Sequence, residues 1–314
     1  MISAEKIIKF LRQKPALNLS QIEKESGLPS RTLHKAFSGS LKLNEKHCQL
    51  IEPVLRNYGY ADELFSKAKI ISIVNHKGGV GKTTTTINLG KALVISGFRV
   101  LLVDFDSQGN TSQCCGVHQV DVQVIDALLE KVDLPIIPLD ENLFLAPSNI
   151  KMAYRELELI NSIGNEKRLK NRLQKISEEF DFIIIDCPPA LNIFTTNALV
   201  ASDLCIIPLQ PEASALYGVD SLFNRIYEVR EESNPSLIVK GILFTMVTEN
   251  TLVHKQMIDY VKKEYKHIPI FNVLIERATI IQQSQVAQKD IFTYSPKSPV
   301  ALQYAELAKE FFII

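Results

Sequence analysis

The residues with the clearest chemical capability sit in one short stretch, Lys77-Gly78-Gly79-Val80-Gly81-Lys82-Thr83-Thr84. Closely spaced glycines let backbone amides curl around an anion, a lysine ammonium reaches phosphate oxygens, and a threonine hydroxyl can ligate a divalent cation. The stretch reads as a phosphate-binding loop for ATP, with Lys82 on the β- and γ-phosphates and Thr83 on Mg2+. It departs from the common G-x-x-x-x-G-K-[ST] pattern, which would begin with glycine where His76 stands. The additional lysine, Lys77, comes too early in the loop to share the seat of Lys82. In a face-to-face dimer it would reach the other protomer's phosphates, where a cation stabilises transition-state charge as an arginine finger does. Two apolar runs also end in carboxylates: Asp104 and Asp106 follow Val100 to Val103, and Asp186 follows Phe182 to Ile185. In isolation Asp104 and Asp106 also fit loop acids at a strand end, and Asp186 a helix cap before Cys187 and two prolines. Beside a magnesium-bound phosphate, carboxylates at strand C-termini are what a parallel α/β fold supplies to a ligand.

These groups need a scaffold that brings them to one edge. Ile70 to Val74 is a short β-branched run of the kind that forms a buried parallel strand, and Thr84 to Gly97 follows the loop with an apolar-periodic helix. The expected fold is therefore α/β: a P-loop NTPase with a mainly parallel sheet flanked by helices, over residues 70–314. The chain has 314 residues, 46% of them hydrophobic, enough for one large domain and a small one. No 18-residue run is free of charge, and the first residues read as an amphipathic helix rather than a signal, so the expected location is cytoplasmic. The five cysteines form no C-x-x-C pair, which signals neither a disulfide framework nor a zinc site.

Zero net charge conceals an asymmetry. Residues 1–69 carry twelve basic and seven acidic side chains, a net of +5 that leaves −5 on the remainder. A basic small domain suggests a surface for an anionic partner. Within it, Ser20 and Glu23 are spaced as a capping box, predicting a helix over Gln21 to Ser26 that Gly27 ends, with Pro29 in the first turn of the next helix. In that second helix Leu33 and Phe37 share the buried face, leaving Ser30, Arg31, His34 and Lys35 outward, residue types that reach base edges and phosphates. The fragment resembles the helix-turn-helix of phage-repressor-like proteins, with Glu23 where those usually carry a small residue. A helical bundle that only contacts protein would give a similar pattern. A further helix follows, interrupted or kinked at Pro53. The expected division is a helix-turn-helix DNA-binding domain over 1–58, a linker over 59–69 and the ATPase domain over 70–314.

The stretch Lys77 to Thr86 resembles the deviant Walker A motif of the ParA/MinD family of ATPases, and similar segments continue in order: Arg99 to Ser112, Leu143 to Ser148, Phe180 to Leu191, and Leu204 onward. The resemblance spans about residues 70–312. It implies that Lys77 acts across an ATP-dependent homodimer and that Asp106 positions the attacking water. It also implies that Asp104 lies near the magnesium shell and that Asp186 is the Walker B carboxylate. The chain ends Glu310-Phe311-Phe312-Ile313-Ile314 without a basic face, unlike MinD-like membrane-binding members, so no membrane partner is expected. The resemblance is closest to partition ATPases. Those bind DNA non-specifically through a basic C-terminal segment, here represented by Arg277 and Lys289, with Ile280 where a second arginine is common. Lys255, Lys262 and Lys263 would be substitutes, or simply a solvated helix face. The implied function is a slow partition ATPase, nucleoid-associated and released by a ParB-like centromere-binding partner, that also binds its operator through the N-terminal domain. The alternative is an ATP-dependent transcriptional regulator without a partition role.

Overall fold

The structure, a computed structural model, describes all residues except 1, 15, 39, 62–66, 131, 213–217, 249–250 and 314, and omits the side chains of 5, 12, 13, 312 and 313. Much of the expected linker, 62–66, thus lies outside the described residues.

Four helices form the N-terminal unit: α1 (Ala4–Gln13), α2 (Leu19–Ser26), α3 (Thr32–Phe37) and α4 (Glu45–Asn57). They close over their own core, in which Ile7, Phe10, Ile22, Leu33, Ile51 and Leu55 are buried. Pro53 lies inside α4 without ending it. The turn between α2 and α3 runs through Gly27 in the left-handed conformation (φ 68°), as expected for a helix stop. The start of α2 differs from the expected capping box. Asn18, not Ser20, is the N-cap, and its side chain accepts from the Gln21 amide at 3.1 Å. Pro29 falls before α3 rather than within it, its carbonyl accepting from Thr32.

Glu23 points into the helix pair instead. Its carboxylate accepts from the amides of Arg31 (2.9 Å) and Leu33 (2.7 Å), so α2 satisfies the otherwise free donors at the start of α3. Burial pushes this carboxyl up, but the two amides and His34 outweigh it and hold it below the usual range. Because the folded value is depressed, its stabilisation is complete above the unfolded value of about 4.3 and is lost as pH falls through the folded value. Glu23→Ala should cost the N-terminal unit about 1–3 kcal/mol through stranded amides. Glu23→Gln should flatten its acid-induced loss of helix, measured by circular dichroism on the full chain. An unchanged acid profile would mean the carboxylate does not hold α3.

The N-terminal unit is tied to the rest by Lys9 of α1, whose ammonium meets Asp181 Oδ1 at 2.5 Å, while Asp181 Oδ2 accepts from the Arg99 amide. Asp181 immediately precedes the fifth strand of a seven-stranded sheet. The strands are β1 (Lys69–Ile73), β2 (Val100–Asp104), β3 (Ile137–Pro138), β4 (Leu143–Ala146), β5 (Phe182–Asp186), β6 (Leu204–Leu209) and β7 (Ile238–Phe244), in the order β3-β4-β2-β5-β1-β6-β7. All pairings are parallel except β3 with β4. Helices cover both faces, and β2, β5 and β6 are accordingly buried at every position. Ile71 and Ile73 face one core layer and Ile70 the other, as strand alternation requires.

The connecting helices are α5 (Lys82–Ile95), α6 (Asn110–Cys114), α7 (Val124–Leu129), α8 (Lys151–Tyr154), α9 (Glu156–Ile160), α10 (Arg168–Ile176) and α11 (Ile193–Ala201). They continue as α12 (Val219–Glu232), α13 (Leu252–Glu264), α14 (Thr279–Val286), α15 (Ile291–Tyr294) and α16 (Pro299–Ile313). Phe311 of α16 is buried against Phe182. From β1 the chain winds one way to β2 and β4, then returns to place β5 between β2 and β1 and winds the other way to β6 and β7, which opens a crevice at the C-terminal ends of β1, β2 and β5. No helix among the described residues is long and apolar enough to cross a membrane.

Candidate active site

The loop between β1 and α5 is held from three sides. Buried Asn75 donates to the Pro208 carbonyl (2.7 Å) and accepts from the Lys77 amide (2.9 Å). Thr245, just beyond β7, donates to the Val80 carbonyl at 2.8 Å. Gln210 reaches the Gly79 carbonyl at 3.3 Å. Gly81 caps α5 with φ 88°, a conformation that a side chain would strain. The first amides of α5 are left facing the crevice, an arrangement suited to an anion.

The lysines have separate positions. Lys82 is 7% exposed, and its ammonium donates to the backbone carbonyl of Lys77 at 2.9 Å. Burial lowers its pKa, while Asp186, Cys187 and Asp106 act in the opposite direction. The Lys77 ammonium lies at the rim, 3.7 Å from Glu212, whose other oxygen is 3.4 Å from Arg277. Glu212 thus gathers two cations beside the loop.

Two of the three aspartates are fully buried, facing each other across the β2–β5 pairing. Asp186 Oδ2 accepts from Thr83 (2.7 Å) and Thr111 (2.6 Å), while its buried Oδ1 has no hydrogen-bond partner among the described residues. Burial raises its pKa despite the two hydroxyls and Lys82. Asp104 is raised further, by burial and then by Asp186, and accepts from the Ser112 amide and hydroxyl and from the Asp106 amide. Asp106 lines the crevice and accepts from the Gln108 amide at 3.0 Å.

The crevice encloses about 510 Å³ between the loop, Asp106, Pro189, Met246 and the segment Glu276 to Gln285. Gly78, Gly79, Gly81, Lys82, Thr83 and Thr84 line it, whereas the Val80 side chain is buried in the core. Arg277 also lines it, whereas Lys289 is exposed beyond α14 and is not part of the lining. Ile280 packs partly buried against the core. Ser30, Arg31, His34 and Lys35 are all exposed on or just before α3.

Several contributing residues carry no local sequence signal. Thr111 and Ser112 belong to a stretch already linked to the site, but only the fold shows their hydroxyls on Asp186 and Asp104. Gln285 donates to Thr84 Oγ at 3.1 Å from the far side of the crevice. Asn75, Gln210 and Thr245 brace the loop from strand ends, and no spacing rule would select them.

A glycine-rich loop between a parallel strand and a helix, with a threonine hydroxyl at the helix start bonded to a carboxylate at the end of the neighbouring strand, defines a P-loop nucleoside triphosphatase. The model of the AAA domain family matches residues 68–239. Over 247 residues the chain is 42% identical to the sporulation initiation inhibitor protein Soj of Bacillus subtilis, covering 77% of this chain and 97% of that protein. It is 38% identical over 249 residues to the chromosome partitioning protein ParA of Myxococcus xanthus, covering 77% and 87%. Among solved structures, cobyrinic acid a,c-diamide synthase from Mycobacterium smegmatis, with bound ATP analog and magnesium, superposes with a TM-score of 0.69 at 34% identity, covering 77% and 93%. The chain belongs to the ParA/MinD family of ATPases.

Proposed function

We propose that this chain is a DNA-partition ATPase that works as an ATP-dependent dimer switch. The observation that carries the reading is the division between the lysines. Lys82 is drawn into the loop, while the Lys77 ammonium stands at the rim, where a second protomer can approach it. In this reading the amides of Gly78 to Thr84 and the Lys82 ammonium hold the phosphates of ATP. Lys77 of each protomer serves the other's nucleotide, and Asp106 orients the attacking water.

The residues present fit magnesium. Thr83 and Asp186 offer hard oxygen donors side by side, and Asp186 Oδ1 is a buried acceptor without a partner among the described residues. Magnesium characteristically takes one or two protein oxygens together with phosphates and waters. When bound, it would neutralise phosphate charge. Asp104, with its carboxylate engaged by Ser112, would hold the Asp106 loop and border that shell.

The ATP-bound dimer binds DNA without sequence preference and is released when a ParB-like partner stimulates an intrinsically slow hydrolysis. Such a protein would be nucleoid-associated. The similarity to a protein named for chromosome partitioning supports this. The exposed cationic face of α3 supports a second contact, with an operator, in which Ser30, Arg31, His34 and Lys35 reach the major groove. The test is binding of the full chain to random-sequence duplex DNA over a salt series. Binding that requires ATP and weakens steeply with salt is expected. Tight binding to one operator alone, with no ATP-dependent affinity for other sequences, would overturn the partition reading in favour of a regulator.

A further inference from the structure

We propose that a groove along α10 is a second docking surface for the phosphate backbone of DNA, separate from α3 and from the C-terminal segment. The groove has a volume of about 350 Å³ and is lined by Leu128, Ile163, Lys167, Arg168, Arg172 and Lys175. Its cations recur at helical spacing, which puts Arg168, Arg172 and Lys175 on one face of α10, with Lys167 just ahead of them. No acidic residue occurs within α10.

The charge on this face is only slightly neutralised. Arg168 donates through Nε and Nη2 to the Ile163 carbonyl (3.2 and 3.0 Å) and through Nη1 to that of Leu128 (3.0 Å). Arg172 donates to the Glu130 carbonyl at 2.7 Å. Neutral carbonyls therefore orient both guanidiniums without cancelling them, and further N–H groups are left for an acceptor. The Glu130 carboxylate is engaged by Arg155 instead. Among the described residues only Lys167 of the four cations has an ion pair, with Glu166 at 3.7 Å.

A row of fixed guanidiniums and exposed lysines matches phosphodiester oxygens, which stay charged at every accessible pH. Ile163, 95% exposed, offers an apolar contact for sugar at the same place. Location supports the choice of DNA. Lys175 lies near the end of α10, a few residues before Asp181, where Lys9 anchors the helix-turn-helix unit. Arg277, by contrast, is drawn toward Glu212 beside the phosphate loop.

This assignment rests on the reading that the chain binds DNA, and the experiment separates the two. The full-length double variant Lys167→Glu/Lys175→Glu is compared with wild type on a random-sequence duplex, with ATP, over a salt series. Among the described residues neither substituted side chain holds the fold through a hydrogen bond to backbone. Affinity should fall at least about tenfold, and the log–log salt slope should become shallower by about two, one phosphate contact per lysine. Turnover without DNA should be unchanged, and Lys167→Arg/Lys175→Arg should bind as wild type. If wild type binds DNA with ATP and the Glu pair binds equally, the groove assignment fails while the partition reading stands. An equal loss in the control Lys151→Glu/Lys266→Glu, at exposed lysines assigned no DNA contact, would also overturn it, as a general charge effect. If wild type shows no ATP-dependent DNA binding, the underlying reading fails.

Discussion

Lys77→Ala will leave ATP binding by a single protomer close to wild type, lower hydrolysis about 10²–10³-fold, and abolish ATP-dependent dimerisation. The separation of effects follows from geometry. Lys82 is seated on the Lys77 backbone carbonyl, which alanine retains, so the phosphate loop keeps its internal contact. What disappears is the rim ammonium beside Glu212. Calorimetric titration with a non-hydrolysable analogue, light scattering and steady-state turnover read the three quantities. A mixing experiment is sharper. In a mixture of Lys77→Ala and Asp106→Ala protomers, about half of the dimers are mixed, and each has one complete site if Lys77 acts across a symmetric interface. Recovery of turnover on mixing is therefore expected. No recovery, with normal dimers formed by Lys77→Ala alone, would make Lys77 a partner of its own chain's Glu212.

Asp106→Ala will give the opposite phenotype: dimers that form on ATP and stay on DNA. Removing a group that positions the attacking water should slow hydrolysis about 10²–10⁴-fold, without removing any contact to the loop or to Thr83. In the structure the carboxylate of Asp106 accepts from the Gln108 amide and lines the crevice, whereas Asp104 and Asp186 are committed to hydroxyls of Ser112, Thr83 and Thr111. The substitution therefore vacates the crevice wall and leaves the buried pair intact. Single-turnover hydrolysis and the dissociation rate from DNA after ATP dilution measure the effect. Unchanged turnover would remove Asp106 from the catalytic role.

Legibility in the sequence followed the range of the interaction. The phosphate loop, its strand and its helix are contiguous, so glycine spacing and apolar periodicity identify them together. Asp186 is legible because a run of buried strand residues ends in a charge. Thr111 is not, because its relation to Asp186 depends on β2 and β5 pairing side by side. Glu23 shows a different failure. Its spacing from Ser20 is that of a capping box, yet Asn18 already satisfies the first amides of α2, and the turn at Gly27 brings the amides of α3 within reach of the carboxylate. Arg277 stands out in a basic segment of the sequence, but its proximity to Glu212 belongs to the tertiary fold. The α10 groove is not legible in the sequence, because its cations are interspersed with buried leucines and depend on the carbonyls of two other segments for their orientation.

The strand order also dictates a timetable for the nascent chain. The helices of the N-terminal unit complete their core with residues no later than Tyr60, so this unit can acquire its structure while the ribosome is still making the ATPase domain. β1 must wait: Ile71 pairs with Ile184 on one side and Leu204 on the other. Until both have emerged, a strand of isoleucines remains with unpaired edges, and non-local parallel pairing is slow to form. The early-folding unit, charged and adjacent to that strand, is placed to keep it soluble during the interval in which it is most exposed to aggregation.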